Sequence, residues 1–98
     1  MLIKIIKTYR NVIAICDKEL LGKKFEENKF QLDVKDNFFN GDETTPEEAI
    51  EIMKRMSLED STFNIIGKKS TDTAIEAGII TENQIKRIQD IPFALVLV

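Results

Sequence analysis

"NIIGKKSTDTAIEAG", residues 64–78, is the stretch whose reading decides the fold, because its glycine, paired lysines and hydroxyls open a helix in one of two ways. In the first, Asn64 caps the helix, and Gly67, Ser70, Ala74 and Ala77 form a stripe of small residues for close packing on a sheet. In the second, the amides at the helix start and the side chains of Lys68, Lys69 and Ser70 hold an anion by hydrogen bonding and dipole attraction. A true nucleotide loop requires Gly-x-x-x-x-Gly-Lys-Ser/Thr. Here Lys69 follows Gly67 and Lys68, and Thr62 stands where the earlier glycine belongs. The motif fails, and packing is the preferred reading. Gly78 then ends the helix in the left-handed conformation, with Ile79 folding back over the last turn.

Outward from this stretch, "SLEDST" (57–62) reads as a polar connection, and "NGDETTPEEAIEIMKRM" (40–56) as the clearest helix. Thr45 is its cap, Pro46 its first residue and Glu48 the third member of a capping box. Ala49, Ile52, Met53 and Met56 form its apolar stripe. "LIKIIKT" (2–8) and "NVIAIC" (11–16) are rich in β-branched residues and suggest a hairpin turning at "YRN", with Asn11 in the left-handed region. The second of these strands is apolar on both faces, which predicts a central position and a buried Cys16. "FQLDV" (30–34) alternates as a half-buried strand. "TENQ" (81–84) repeats a capping pattern, and Ile85 and Ile88 after it fit a short helix or a strand equally. "FALVLV" (93–98) predicts a strand covered on both faces, since exposure would invite edge pairing.

Composition narrows the function classes. The 98 residues, 43% apolar and 32% charged, suit one soluble domain, spanning 1–98. A net charge of -3 is the wrong sign for a general nucleic-acid surface. A single cysteine builds no internal disulfide, and "MLIKIIKTYRNVIAIC" has neither a long apolar run nor a cleavage site. A cytoplasmic protein with no membrane span is expected.

There is no histidine, so the usual neutral-pH base, the Ser-His and Cys-His pairs and the commonest metal ligand are all missing. No cofactor, metal site or catalytic residue is expected. The acid pairs Glu26-Glu27, Glu47-Glu48 and Glu59-Asp60 are sequence neighbours whose side chains diverge, which suits solvated surface. Asp17 beside Cys16 opposes thiolate formation, so a buried structural cysteine is favoured over a reactive one. "LLGKKF" (20–25) brings Gly22, Lys23 and Lys24, a second Gly-Lys-Lys, as a candidate basic surface with Lys68 and Lys69. Phe38 and Phe39 either close one end of the core or anchor an interface.

The order of "CDKELLGKKF", "LDV", "FFNGDE", "NIIGKKSTDTAIEAGII" and "IPFALV" resembles the archaeal family filed as domain of unknown function 424. The markers are Asp17, Glu19, Leu20, Leu21, Gly22 and Lys23, then Phe39 and Gly41, then Asn64, Gly67 and Gly78. The resemblance spans nearly the whole chain and implies an archaeal, cytoplasmic protein and no reaction. Its pattern has a histidine and a glutamine where this chain has Phe93 and Leu95, which removes any histidine-based activity from the expectation.

The expected fold is α+β: a mostly antiparallel sheet of four to five strands, from the hairpin, "FQLDV" and the C-terminal strand, with two main helices on one side. The expected function is a non-catalytic binding module docking on a protein or ribonucleoprotein partner through Gly22, Lys23, Lys24, Phe38 and Phe39. The alternative is a small enzyme or ligand sensor that holds an anionic metabolite at Gly67, Lys68, Lys69 and Ser70.

Overall fold

Strand pairing begins in the N-terminal hairpin, where β1 (Leu2–Ile6) and β2 (Asn11–Cys16) run antiparallel with Leu2 opposite Cys16 and Ile6 opposite Val12. The computed structural model describes residues 1–98. Asn11 is not the turn residue: it is already in β2, opposite Ser61, and has no positive φ. The loop is instead tied down by Arg10, whose guanidinium donates to the Thr62 hydroxyl at 3.0 Å and to the Ser61 carbonyl at 2.9 Å.

After β2 come β3 (Lys24–Glu27), β4 (Phe30–Asp33), a single helical turn α1 (Asp36–Phe39), β5 (Asp42–Glu43), and α2 (Pro46–Met56). Then follow β6 (Ser61–Ile66), α3 (Lys68–Glu76), β7 (Lys86–Ile88) and β8 (Ile91–Leu97). The main sheet has six strands in the order β5-β1-β2-β6-β8-β7, and β2 and β6 are parallel. The expectation of four to five strands is therefore corrected to a mixed six-stranded sheet. The extra central strand is "STFNII". Its β-branched residues suit a strand, and Ser61, Phe63 and Ile65 are fully buried on one face. A parallel strand carries no hairpin signal, so the sequence around Asn64 reads as a helix start while the helix begins at Lys68. "FQLDV" is also displaced. Its strand, β4, pairs only with β3, in a separate two-stranded hairpin.

The capping box of α2 is present as expected, with Thr45 accepting from the Glu48 amide and Glu48 accepting from the Thr45 amide. Gly78 sits at φ 78°, and the Ile79 amide reaches back to the Ala74 carbonyl at 3.0 Å. The box at Thr81 leads to β7, which settles Ile88 as a strand residue.

Two cores flank the sheet. On the first face Ile3, Ile13, Ile15, Phe63, Ile65, Ala94 and Val96 pack with Ala49, Met53 and Met56 of α2 and Ala74 of α3. On the second face Leu2, Ala14, Cys16, Ile66 and Ile88 pack under a strap made by residues 20–39, through Leu20, Leu32, Val34 and Phe39. Each fully buried large side chain contributes about 1.5–3 kcal/mol, so packing on both faces holds the central strands in place. The strap covers only one end of the second face.

Candidate functional site

Register determines what the strap leaves open. Paired residues on neighbouring strands share a face, so Ile6, Val12, Thr62 and Leu97 form one row across β1, β2, β6 and β8. Lys4, Ala14, Asn64 and Leu95 form the next row. Ala14 is fully buried, Ile6, Val12, Thr62 and Asn64 are half-buried, and Leu95 and Leu97 are 61% and 69% exposed. The expectation that "FALVLV" is covered on both faces is thus corrected: Ala94 and Val96 are buried, and the alternate leucines are not. Charged side chains on this face include Lys4, whose ammonium donates to the Asn37 carbonyl at 2.9 Å, Lys86, opposite Phe93, and Glu43, opposite Leu2, and the Arg10 guanidinium reaches it at the Thr62 hydroxyl. The result is a mixed surface, apolar at Ile6, Val12, Leu95 and Leu97 and polar at Thr62 and Asn64, with cations outnumbering acids around it.

The start of α3 is occupied from within. Asp17, 4% exposed at the end of β2, turns its carboxylate onto the first turn. One oxygen accepts from the Ser70 amide at 2.8 Å and the Ser70 hydroxyl at 2.7 Å, and the other accepts from the Lys69 amide at 3.1 Å. Gly67, at φ 112°, makes room: a Cβ there would overlap the Asp17 carboxyl group. The helix terminus does hold an anion, and the anion is the protein's own side chain.

The four residues expected to form an anion site are therefore divided. Gly67 and Ser70 are buried around Asp17, Lys69 is exposed, and Lys68 forms a surface ion pair with Asp72 at 3.1 Å. Lys68 also lines an open groove of about 420 Å³ with Thr71, Asp72, Arg87 and Asp90 among its walls. Of the expected interaction residues, Gly22, Lys23 and Lys24 are exposed where the strap enters β3. Phe39 is buried and Phe38 half-buried, their rings meeting edge to face at 5.0 Å, so this pair closes the second core.

The Cys16 thiol is fully buried, and burial followed by the Asp17 carboxylate pushes it up from 9.0 to about 11. Every buried side-chain nitrogen and oxygen has a hydrogen-bond partner. No three carboxylates or thiols converge as metal ligands would. The residues that sequence reasoning missed are Ile6, Val12, Thr62, Asn64, Leu95 and Leu97. The signal for them lay in the alternation of "FALVLV", which becomes readable only once its neighbours in the sheet are known. No helix is long and apolar enough to cross a membrane.

A family model described as protein of unknown function (DUF424) matches residues 6–98, so the chain belongs to that family. No curated protein matches. Among solved structures, the crystal structure of an uncharacterized conserved protein from Methanopyrus kandleri is similar, with a TM-score of 0.89. It is 21% identical over 99% of this chain and 90% of that one, which shows a shared fold.

Proposed function

We propose that this DUF424 chain is a non-catalytic binding module, and that its docking surface is the open end of the second sheet face. The observation that carries the reading is the exposure of Leu95 and Leu97 at the β8 end of a face on which Ile6 and Val12 are also only half-buried, with Thr62 and Asn64 of β6 between the two pairs. Large apolar side chains left exposed together on one face are characteristic of interaction sites. The cations Lys4 and Lys86 suit a protein surface with an apolar centre and acidic border, whether that protein acts alone or within a ribonucleoprotein. Cys16 is inert by burial, and the most enclosed carboxylate, Asp17, is spent on capping α3.

The test is affinity capture of the tagged chain from its native extract, beside Val12→Lys, at low and high salt. A stoichiometric partner retained by the wild type and lost with Val12→Lys supports the reading. A salt-sensitive fraction assigns a contribution to the lysines, Lys23 and Lys24 included. Capture that is indifferent to Val12→Lys removes it.

A second reading, an anionic metabolite held at Lys68, has less support: the groove that Lys68 and Arg87 line also presents Asp72, Glu82 and Asp90, Lys68 is paired with Asp72, and the Lys69 and Ser70 amides are taken by Asp17. Saturable binding of inorganic phosphate, lost with Lys68→Ala, supports it.

A further inference from the structure

An edge strand presents unpaired N–H and C=O groups, and natural proteins blunt such edges with lysines, prolines, bulges or a covering element. The outer edge of β8 is blunted along only part of its length. β7 pairs with Ile91 to Phe93 and stops, Lys86 lying opposite Phe93. Beyond that point the alternation of the antiparallel ladder decides which groups face outward. Ser61 and Val98 exchange both backbone hydrogen bonds, at 3.3 and 2.9 Å, and the Gly67 amide donates to the Pro92 carbonyl at 2.8 Å. Even-numbered residues of β8 therefore turn their backbone groups toward β6, and Leu95 and Leu97 turn theirs away. No backbone group of the chain pairs with the amides and carbonyls of Leu95 and Leu97 on that side.

We infer that this edge is where a second copy of the chain adds its own β8, antiparallel, about a two-fold axis passing beside Val96. In that register Leu95 of each copy faces Leu97 of the other, and each such pair exchanges both backbone hydrogen bonds. Every outward group of the two leucines is then satisfied by its own counterpart. The side chains agree with the backbone. Leu97 of the second copy, facing Leu95 on the same side of the sheet, comes down over a hollow of about 270 Å³ lined by Gln84, Lys86, Phe93, Ala94 and Leu95. Charge agrees as well. Ile91–Leu97 contains no ionisable side chain, so self-pairing sets no like charges opposite one another.

The area sets the strength. One short strip of strand is well below the roughly 800 Å² per partner of a stable complex, so the dimer is weak and forms in the micromolar range or above. This inference uses the free backbone edge but shares Leu95 and Leu97 with the proposed docking face, so the two are told apart by Val12→Lys, which alters the face and not the edge.

The experiment is sedimentation of the full chain from about 10 µM to about 1 mM, with amide exchange read at Leu95, Leu97 and Val96 over the same range. The expected result is a mass that rises from 11.2 kDa toward twice that value. Exchange at Leu95 and Leu97 slows about tenfold or more with concentration, while Val96, bonded to β6, is protected throughout. Leu97→Pro removes an outward amide and leaves the β6 ladder intact, and Leu95→Lys adds an edge charge; each holds the chain at monomer mass. Val12→Lys, on the open face away from the edge, leaves the dimer unchanged, which separates this test from that of partner docking. A chain that stays at monomer mass with fast exchange at both leucines overturns the inference. A dimer that survives Leu97→Pro also overturns it.

Discussion

Asp17 and Ser70, 53 residues apart in sequence, meet at one carboxylate oxygen, which accepts from the Ser70 amide at 2.8 Å and the Ser70 hydroxyl at 2.7 Å. The contact locks the end of β2 to the start of α3. It also explains why a segment resembling a phosphate loop is not free to be one, since the Lys69 and Ser70 amides are already taken.

Two substitutions test that lock. Asp17→Asn removes a charge-assisted cap and lowers stability by about 1–3 kcal/mol in urea unfolding. Gly67→Ala is the sharper change. Its Cβ must displace the Asp17 carboxylate from a backbone at φ 112°, and a loss of about 3 kcal/mol or more is expected. Unfolding midpoints that match the wild type in both variants contradict the assignment.

At α2 the Glu48 carboxyl is held below its ordinary value, first by the Thr45 amide and then by the Thr45 hydroxyl. A carboxylate favoured in the folded state stabilises above its unfolded value of 4.5 and loses that contribution as pH falls through the lowered folded value. Thr45→Ala therefore lowers the unfolding midpoint at neutral pH, and the difference from wild type narrows as pH falls below 4.5 through the lowered folded value. Thermal unfolding of the pair across pH 3 to 7 reads it, in steps of about one unit.

Cys16 gives the opposite sign. Its thiol is raised from 9.0 to about 11, so the folded state holds the proton longer than the unfolded one. Stability is unaffected below pH 9 and falls as pH rises from about 9 to 11. Native protein at pH 8 is expected to resist a thiol reagent until urea unfolds it, and Cys16→Ala removes the alkaline decline. Prompt labelling of the native chain contradicts the burial argument.

The apolar end of the second face makes a different kind of prediction. Leu95→Ser leaves stability within about 0.5 kcal/mol, because the side chain is largely exposed, yet weakens partner capture. Parallel measurement of unfolding midpoint and captured partner separates the two effects.

Local chemistry made part of this fold legible. The Thr45-Pro46-Glu48 box, the Gly78 terminator and the two apolar faces of β2 each act within a few residues, and each appears where the sequence indicates. The parallel strand Ser61–Ile66 was illegible for a physical reason: its partner lies 50 residues away and no turn announces it. The Asp17 cap fails the same way, because a carboxylate beside a cysteine says nothing of the helix it will meet. Leu95 and Leu97 read as buried in the sequence because the six-residue run hides a two-residue alternation, and only the strap's short reach decides which members stay uncovered.

The most direct test of the account is photo-crosslinking in native extract, with the probe placed at Leu97 on the open face and, as a control, at Glu51 on the exposed side of α2. The account predicts a discrete adduct between the Leu97 probe and another protein, distinguished by mass from a pair of identical chains. That adduct is absent from Glu51 and lost when Val12→Lys is added. An adduct that forms equally from Glu51, or that Val12→Lys leaves intact, contradicts it.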